Sequence, residues 1–223
     1  MAGGGWLGDL TDGKVIVAGM SQMGYHAMAL GPEELELGLE TLDERMGEAD
    51  FPMLSANVVL SATGELLAQP YTVLELGDRR LGVLGLTRVP AETLTEFRVL
   101  DPGQAMTRYV PELAREVDTV VVLTNQTYRS ALALAQEVSG IDLIIAALPG
   151  QLPENAVRVP GTGTLVVTAE QASPRHSGRR VGKLGVTLDR DGSLSEEQWE
   201  SVWMDPSIAD DPEMAELVEG YRP

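Results

Sequence analysis

The stretch Thr119-Val-Val-Val-Leu123 sets the strongest limit on what this chain can fold into, because a β-branched run of this kind belongs in a buried strand. Helical patterns flank it. Upstream, Asp101-Pro102 marks a turn and a helix start, and Met106, Tyr109, Val110, Leu113 and Val117 then fall on one face. Downstream, Ala131–Val138 reads as a helix, with Gly140 where a C-terminal cap belongs, and Leu143–Ala147 as the next strand. Strand and helix in alternation predict an α/β fold.

The same alternation runs along the rest of the chain. Lys14–Met23 reads as a helix leading into a short apolar segment, Ala27–Leu30. Glu34–Met46 sets Leu35, Leu39, Leu42 and Met46 on one helical face. Leu54–Val59 reads as a strand. Tyr71–Leu76 and Arg79–Leu86 read as a β-hairpin whose two-residue turn is Gly77-Asp78. Thr164–Thr168 and Lys183–Leu188 are further strands, the last closing at Asp191-Gly192. Residues 193–223 are acidic, with a short amphipathic helix near Pro212–Tyr221. The expected organisation is a domain over 1–192 followed by a C-terminal appendage over 193–223.

Composition narrows the function. The 223 residues carry 16 Lys and Arg against 34 Asp and Glu, a net charge of −18 that repels nucleic acid and anionic membranes. No run approaches the ~18 apolar residues of a membrane span, and the first residues lack the basic head and apolar run of a signal peptide. The absence of cysteine removes disulfides, thiolate metal sites and cysteine nucleophiles, and only two histidines, His26 and His176, are present. Neither a nucleophile elbow nor a Walker-type glycine loop occurs.

Several segments in register carry a resemblance. Met23-Gly-Tyr-His-Ala-Met-Ala-Leu-Gly31, Gly31-Pro-Glu-Glu-Leu-Glu-Leu-Gly38 and Phe51-Pro-Met-Leu-Ser-Ala-Asn57 open the series. Pro70–Thr87, with its closing Gly-Val-Leu-Gly-Leu-Thr87, continues it, followed by Asp101-Pro102 and Val120-Val-Val-Leu-Thr-Asn-Gln126. Gly140-Ile-Asp-Leu-Ile-Ile-Ala-Ala-Leu-Pro-Gly150, Val181–Asp189 and Ala209-Asp-Asp-Pro-Glu-Met complete it. Together they resemble the metallophosphatase domain of the 5′-nucleotidase family of calcineurin-like phosphoesterases. The resemblance implies a layered α/β/β/α sandwich of mixed sheets. The family's first strand, with an Asp-x-His metal pair, would lie upstream of Met1, and its nucleoside-gripping domain beyond Pro223.

The resemblance also locates where the chemistry would be. Where the family reads Gly-Asn-His-Glu, its metal-binding Asn and catalytic His fall on Pro32 and Glu33. Its metal-binding His after the central strand falls on Asn125, and its His-x-His pair on Leu148 and Gly150. Its bridging Asp falls on Asp9. A two-metal phosphoesterase sets its ions ~3.5–4 Å apart to polarise the phosphoryl group and generate hydroxide. Leucine and glycine side chains have no donor atom, and proline removes the carboxamide. The expectation is therefore a catalytically inactive metallophosphatase-like domain with no metal cofactor, acting as a binding or assembly module.

Two alternatives stay open. One is a phosphoesterase with a rebuilt all-oxygen site, its metal held by Asp9, Glu33, Glu34 and Asn125 and its catalysis by Glu33 and Asn125. Such a site would select Mn²⁺, Mg²⁺ or Ca²⁺. The other is a nucleotide binder without catalysis. Each residue also has a structural reading: Asp9 as a cap of the following helix, Glu33, Glu34 and Glu36 as favoured by the helix dipole, Asn125 as a strand-end turn residue, and Asn57 as part of the fold near the cleft. His26 reads as structural. Arg175, His176, Arg179 and Arg180 form a basic cluster, either an anion or acidic-partner site or a solvated loop. Trp6, Trp199 and Trp203, near the termini, are the expected anchors for a protein partner. The family resemblance points to a periplasmic or extracellular location.

Overall fold

The computed structural model describes residues 6–89, 94–148, 156–168, 180–189 and 192–222. Helices α1 (Trp6–Leu10) and α2 (Lys14–Gln22) come first, then strand β1 (Met28–Ala29), a single turn α3 (Pro32–Leu35) and helix α4 (Leu39–Glu48). Strands β2 (Met53–Leu54) and β3 (Val58–Leu60) precede the hairpin of β4 (Tyr71–Leu76) and β5 (Arg79–Leu86). Next come β6 (Phe97–Val99), α5 (Pro102–Leu113), β7 (Thr119–Thr127), α6 (Tyr128–Glu137), β8 (Leu143–Leu148), β9 (Ala156–Arg158) and β10 (Leu165–Thr168). The long strands β11 (Arg180–Leu188) and β12 (Leu194–Trp203) and the helix α7 (Pro212–Gly220) close the series.

The centre is a six-stranded sheet in the order β4-β5-β7-β8-β10-β9. Its four inner strands are parallel, and β4 and β9 pair antiparallel at the edges. Helices α5 and α6 cover one face, burying Met106, Val110, Leu113, Tyr128 and Ala131 against Leu84, Val122 and Ile144. On the other face Val121, Leu143, Leu165 and Val167 meet Leu184, Leu194 and Trp199 of the antiparallel β11–β12 pair. A third apolar cluster, with Val17, Leu30, Leu35, Leu42, Phe51 and Phe97, ties α2, α3 and α4 to β1, β2, β3 and β6. Among the described residues this is a mixed α/β fold built from one mixed six-stranded sheet and three two-stranded pairs.

Local chemistry explains the elements. Asp101 caps α5 by accepting the Gln104 N–H at 2.8 Å, with Pro102 at the first helical position. Thr127 caps α6 by accepting the Ser130 N–H at 3.2 Å. A Cβ at Gly85 would stand 2.5 Å from the Leu54 carbonyl oxygen, so glycine there lets the short β2 lie directly against β5.

The structure adds α1, β6 and β9 to the elements read from sequence, and it differs from that reading most in three places. The helix expected over Glu34–Met46 is two elements, because Gly38 adopts φ 80° and breaks the run between α3 and α4. The strand expected over Leu54–Val59 is also two: Ser55, Ala56 and Asn57 leave the extended line, and β2 pairs with β1 whereas β3 pairs with β6. Residues 194–203, read as part of an acidic appendage, form β12, paired antiparallel with β11 from Arg180↔Trp203 to Leu188↔Leu194 with one register shift between Thr187 and Leu188. The sheet order leaves β12 outside the central sheet, and Arg158 of β9 ties it there by an ion pair to Glu197.

Candidate functional site

The C-terminal ends of β1, β5 and β7 converge beside α3, and their polar side chains form one connected cluster. Thr87, directly after β5, is fully buried. Its Oγ1 donates to the Leu30 carbonyl at 2.8 Å and shares a 2.8 Å hydrogen bond with Ser55 Oγ. Asn57, also fully buried, accepts the Thr87 N–H at 2.8 Å. Its Nδ2 donates to the carbonyls of Thr87 at 2.8 Å and Leu100 at 2.9 Å. The Asn57 amide is thus engaged at both ends in joining β3, β5 and the strand-end after β6.

Asn125 lies near the end of β7, where the register with β8 slips. Its Nδ2 donates to the Leu30 carbonyl at 2.9 Å, and its Oδ1 accepts the Arg88 N–H. Those two backbone partners fix the orientation of the amide, since a carbonyl can only accept and an N–H only donate. Glu34 is buried, and its Oε2 accepts the Gly31 N–H at 2.7 Å, reaching back over the start of its own helical turn. Glu33 is exposed and faces Arg88, Oε1 to Nη2, at 3.8 Å.

Gly31 is the hub of this cluster. A Cβ there would stand 2.7 Å from Asn125 Nδ2, 2.9 Å from Glu34 Oε2 and 3.0 Å from Glu33 Oε2, so glycine is the residue that leaves all three room. The structure therefore brings Glu33, Glu34 and Asn125 together around one backbone position. Asp9 lies on α1 with an exposed side chain; α2 begins at Gly13 with no side-chain cap, so Asp9 does not cap it. Arg175, His176 and Arg179, like Gly150, lie outside the described residues, and Arg180 opens β11. His26 is exposed in the loop before β1. Arg88 was not singled out from sequence, and the one hint of it is a lone base directly after the apolar run Leu81–Thr87.

The donor set does not fit a divalent cation. Asn125 turns its NH₂ group toward Gly31 and the two glutamates, while its oxygen is taken by Arg88. Glu34 is held by a backbone N–H, and the cation nearest Glu33 is the Arg88 guanidinium. Among the described residues no three His, Cys, Asp or Glu side chains gather as a metal-binding group. Arg88 Nε, for its part, is buried without an acceptor among the described residues.

Comparison with known proteins gives this geometry a context. No family model matches the chain. It is 27% identical over 232 residues to the 5′-nucleotidase of Bos taurus, an alignment that takes in 91% of this chain and 39% of that protein. The solved 5′-nucleotidase precursor from Thermus thermophilus superposes with a TM-score of 0.81 at 29% identity, over 96% of this chain and 46% of that one. The calcineurin-like phosphoesterase YfkN from Bacillus subtilis superposes at 0.70 with 21% identity, over 97% of this chain and 78% of that one, which speaks for the fold alone. The chain spans less than half the length of the 5′-nucleotidases it resembles. The superpositions, over nearly the whole chain, define a calcineurin-like phosphoesterase fold. Within that class the chain is most readily compared with the metallophosphatase domain of the 5′-nucleotidases, to which it is similar along nearly its whole length.

Proposed function

We propose that this chain is a non-catalytic metallophosphatase-like module, serving binding or assembly. The observation that carries the reading is that the polar groups at the strand ends are engaged with one another. Asn125 uses both ends of its amide on backbone, Glu34 holds the Gly31 N–H, and Glu33 faces Arg88. A two-metal hydrolase needs free lone pairs directed at its ions. The resemblance adds Pro32, Leu148 and Gly150 at positions where the family has ligands. A module of this kind acts through its surface, and the terminal segments are its proposed partner contacts, with Trp6 and Trp203 as anchors; Trp199, expected with them, packs inward against the central sheet instead. Trp203 is 55% exposed at the end of β12. An extracytoplasmic location is proposed with it. No helix among the described residues is long and apolar enough to cross a membrane.

The convergence of Glu33, Glu34 and Asn125 on Gly31 favours a second reading, a phosphoesterase with an all-oxygen site for Mn²⁺, Mg²⁺ or Ca²⁺. It would need the Asn125 amide to turn over and break both of its backbone hydrogen bonds. The two readings separate on metal content and turnover. Purified protein is incubated with Mn²⁺, Mg²⁺, Ca²⁺ and Zn²⁺, freed of excess, and measured by elemental analysis beside an assay of nucleoside monophosphate hydrolysis. The module reading expects no retained metal and no turnover. Two equivalents of metal per chain, with hydrolysis abolished by Glu33→Gln, would establish the enzyme instead.

A further inference from the structure

A cleft of about 310 Å³ lies between the turn after β3 and the first turns of α5. Ala56 and Leu100, which line it, adjoin the buried Asn57 of the strand-end cluster, while Gly31, Glu33, Glu34 and Asn125 do not line it. Small-molecule sites begin at roughly this size, ~300 Å³. Its floor is apolar, formed by Ala56, Val59, Leu66, Ala105 and Tyr109. Four of these, Ala56, Val59, Ala105 and Tyr109, are buried in the body of the domain, so the floor is fixed by core packing.

The rim is cationic. Arg108 lines the cleft from α5, and its guanidinium lies 4.9 Å over the Tyr109 ring. Arg98 is the cross-strand partner of the floor residue Val59, which directs its side chain to the same side of the β3–β6 pair. Its Nη2 comes within 3.8 Å of where a Cβ of Gly64, another lining residue, would stand. Among the described residues neither guanidinium has a hydrogen-bond or ion-pair partner. The carboxylate at this rim, Asp101, is engaged with the N-terminus of α5 through Gln104 N–H.

An apolar floor beneath two such guanidiniums matches a ligand that is apolar at one end and anionic at the other. We propose that this cleft binds a small amphiphilic carboxylate, its alkyl or aryl body over Ala105 and Tyr109 and its head between Arg98 and Arg108. The planar guanidinium fork suits a carboxylate. The net charge of −18 disfavours a dianionic head more than a monoanionic one. This site is independent of whether the strand-end cluster is catalytic.

Octanoate, below its micellar range, and 1-octanol are the probes, titrated into the intact chain labelled at alanine and leucine methyls. Octanoate should shift the methyls of Ala56, Ala105, Leu66 and Leu100 saturably, and 1-octanol should bind roughly tenfold or more weaker, since it lacks the charge-assisted contacts. Arg98→Gln and Arg108→Gln, both at exposed side chains, should each weaken octanoate and leave 1-octanol unchanged. Absence of saturable shifts at these methyls, or equal affinity for the two probes, overturns the proposal. So does unchanged octanoate binding in both variants.

Discussion

At the scale of single residues, burial decides what the polar groups near the strand ends do. Asn57 has no exposed surface and three backbone partners, so its removal leaves the Thr87 carbonyl and N–H without a bond in the buried interior and the Leu100 carbonyl without one at a part-buried position. Asn57→Ala should destabilise the domain by about 3 kcal/mol, taking ~1 kcal/mol per orphaned group, read as a lower midpoint in urea unfolding. Glu33→Gln makes the opposite test. Its partner Arg88 lies 3.8 Å away across a half-exposed surface, so the pair contributes at most about 1 kcal/mol and stability should barely change. The sequence marked Asn57, Asn125, Glu33 and Glu34 as candidates but held no sign of how their hydrogen bonds would be distributed. That depends on which backbone groups of residues 30, 31, 87, 88 and 100 face them, and those positions meet only through tertiary pairing.

At the scale of elements, two glycines in β5 separate contacts that can give from contacts that cannot. A Cβ at Gly82 would meet the Leu113 side chain at 2.7 Å, and one at Gly85 the Leu54 backbone carbonyl oxygen at 2.5 Å. A leucine side chain can shift its rotamer, while the backbone of β2 is held in pairing with β1. Gly85→Ala should therefore be the more destabilising, by about 3 kcal/mol against ~1–2 kcal/mol for Gly82→Ala, in the range for overpacked cores, compared side by side by thermal unfolding. The elements legible in the sequence were those whose signals are local: the β4–β5 hairpin with its Gly-Asp turn, α5 with its Asp-Pro start, and the β-branched core of β7. Others depended on contacts. One glycine at 38 with positive φ divides what reads as a continuous amphipathic helix. In β12, Glu196, Glu197 and Glu200 disguise a strand whose pairing with β11 carries Leu194 and Trp199 onto the sheet.

At the scale of the whole molecule, the β11–β12 pair covers the face of the central sheet that α5 and α6 leave open. Trp199 lies over Gly182, where a Cβ would overlap its ring, so the strand pair is shaped to seat an indole against the strand opposite. Trp203 belongs to the same strand but is 55% exposed. The two tryptophans should therefore separate stability from recognition. Trp199→Ala removes a side chain packed with Val121, Leu143 and Leu165, and should cost about 2–3 kcal/mol, below the ~3–5 kcal/mol of a fully buried tryptophan. Trp203→Ala should cost clearly less, because over half of its surface already meets water. Helix α7 gives the same contrast on a larger piece of chain. It rests on α2 through Met214, whose sulfur would lie 3.5 Å from a Cβ at Gly19, and none of its own residues is buried. A chain shortened to residue 204 should fold with modest loss, whereas one shortened to residue 189 loses β12 with Leu194 and Trp199, leaves β11 without its partner strand over Val121, Leu143, Leu165 and Val167, and should aggregate or bind a hydrophobic dye. Both chains are compared by urea unfolding and by sedimentation. If the chain ending at 189 stays monomeric and as stable as the one ending at 204, the β11–β12 pair is not part of the core, and the layered arrangement described for that face is wrong.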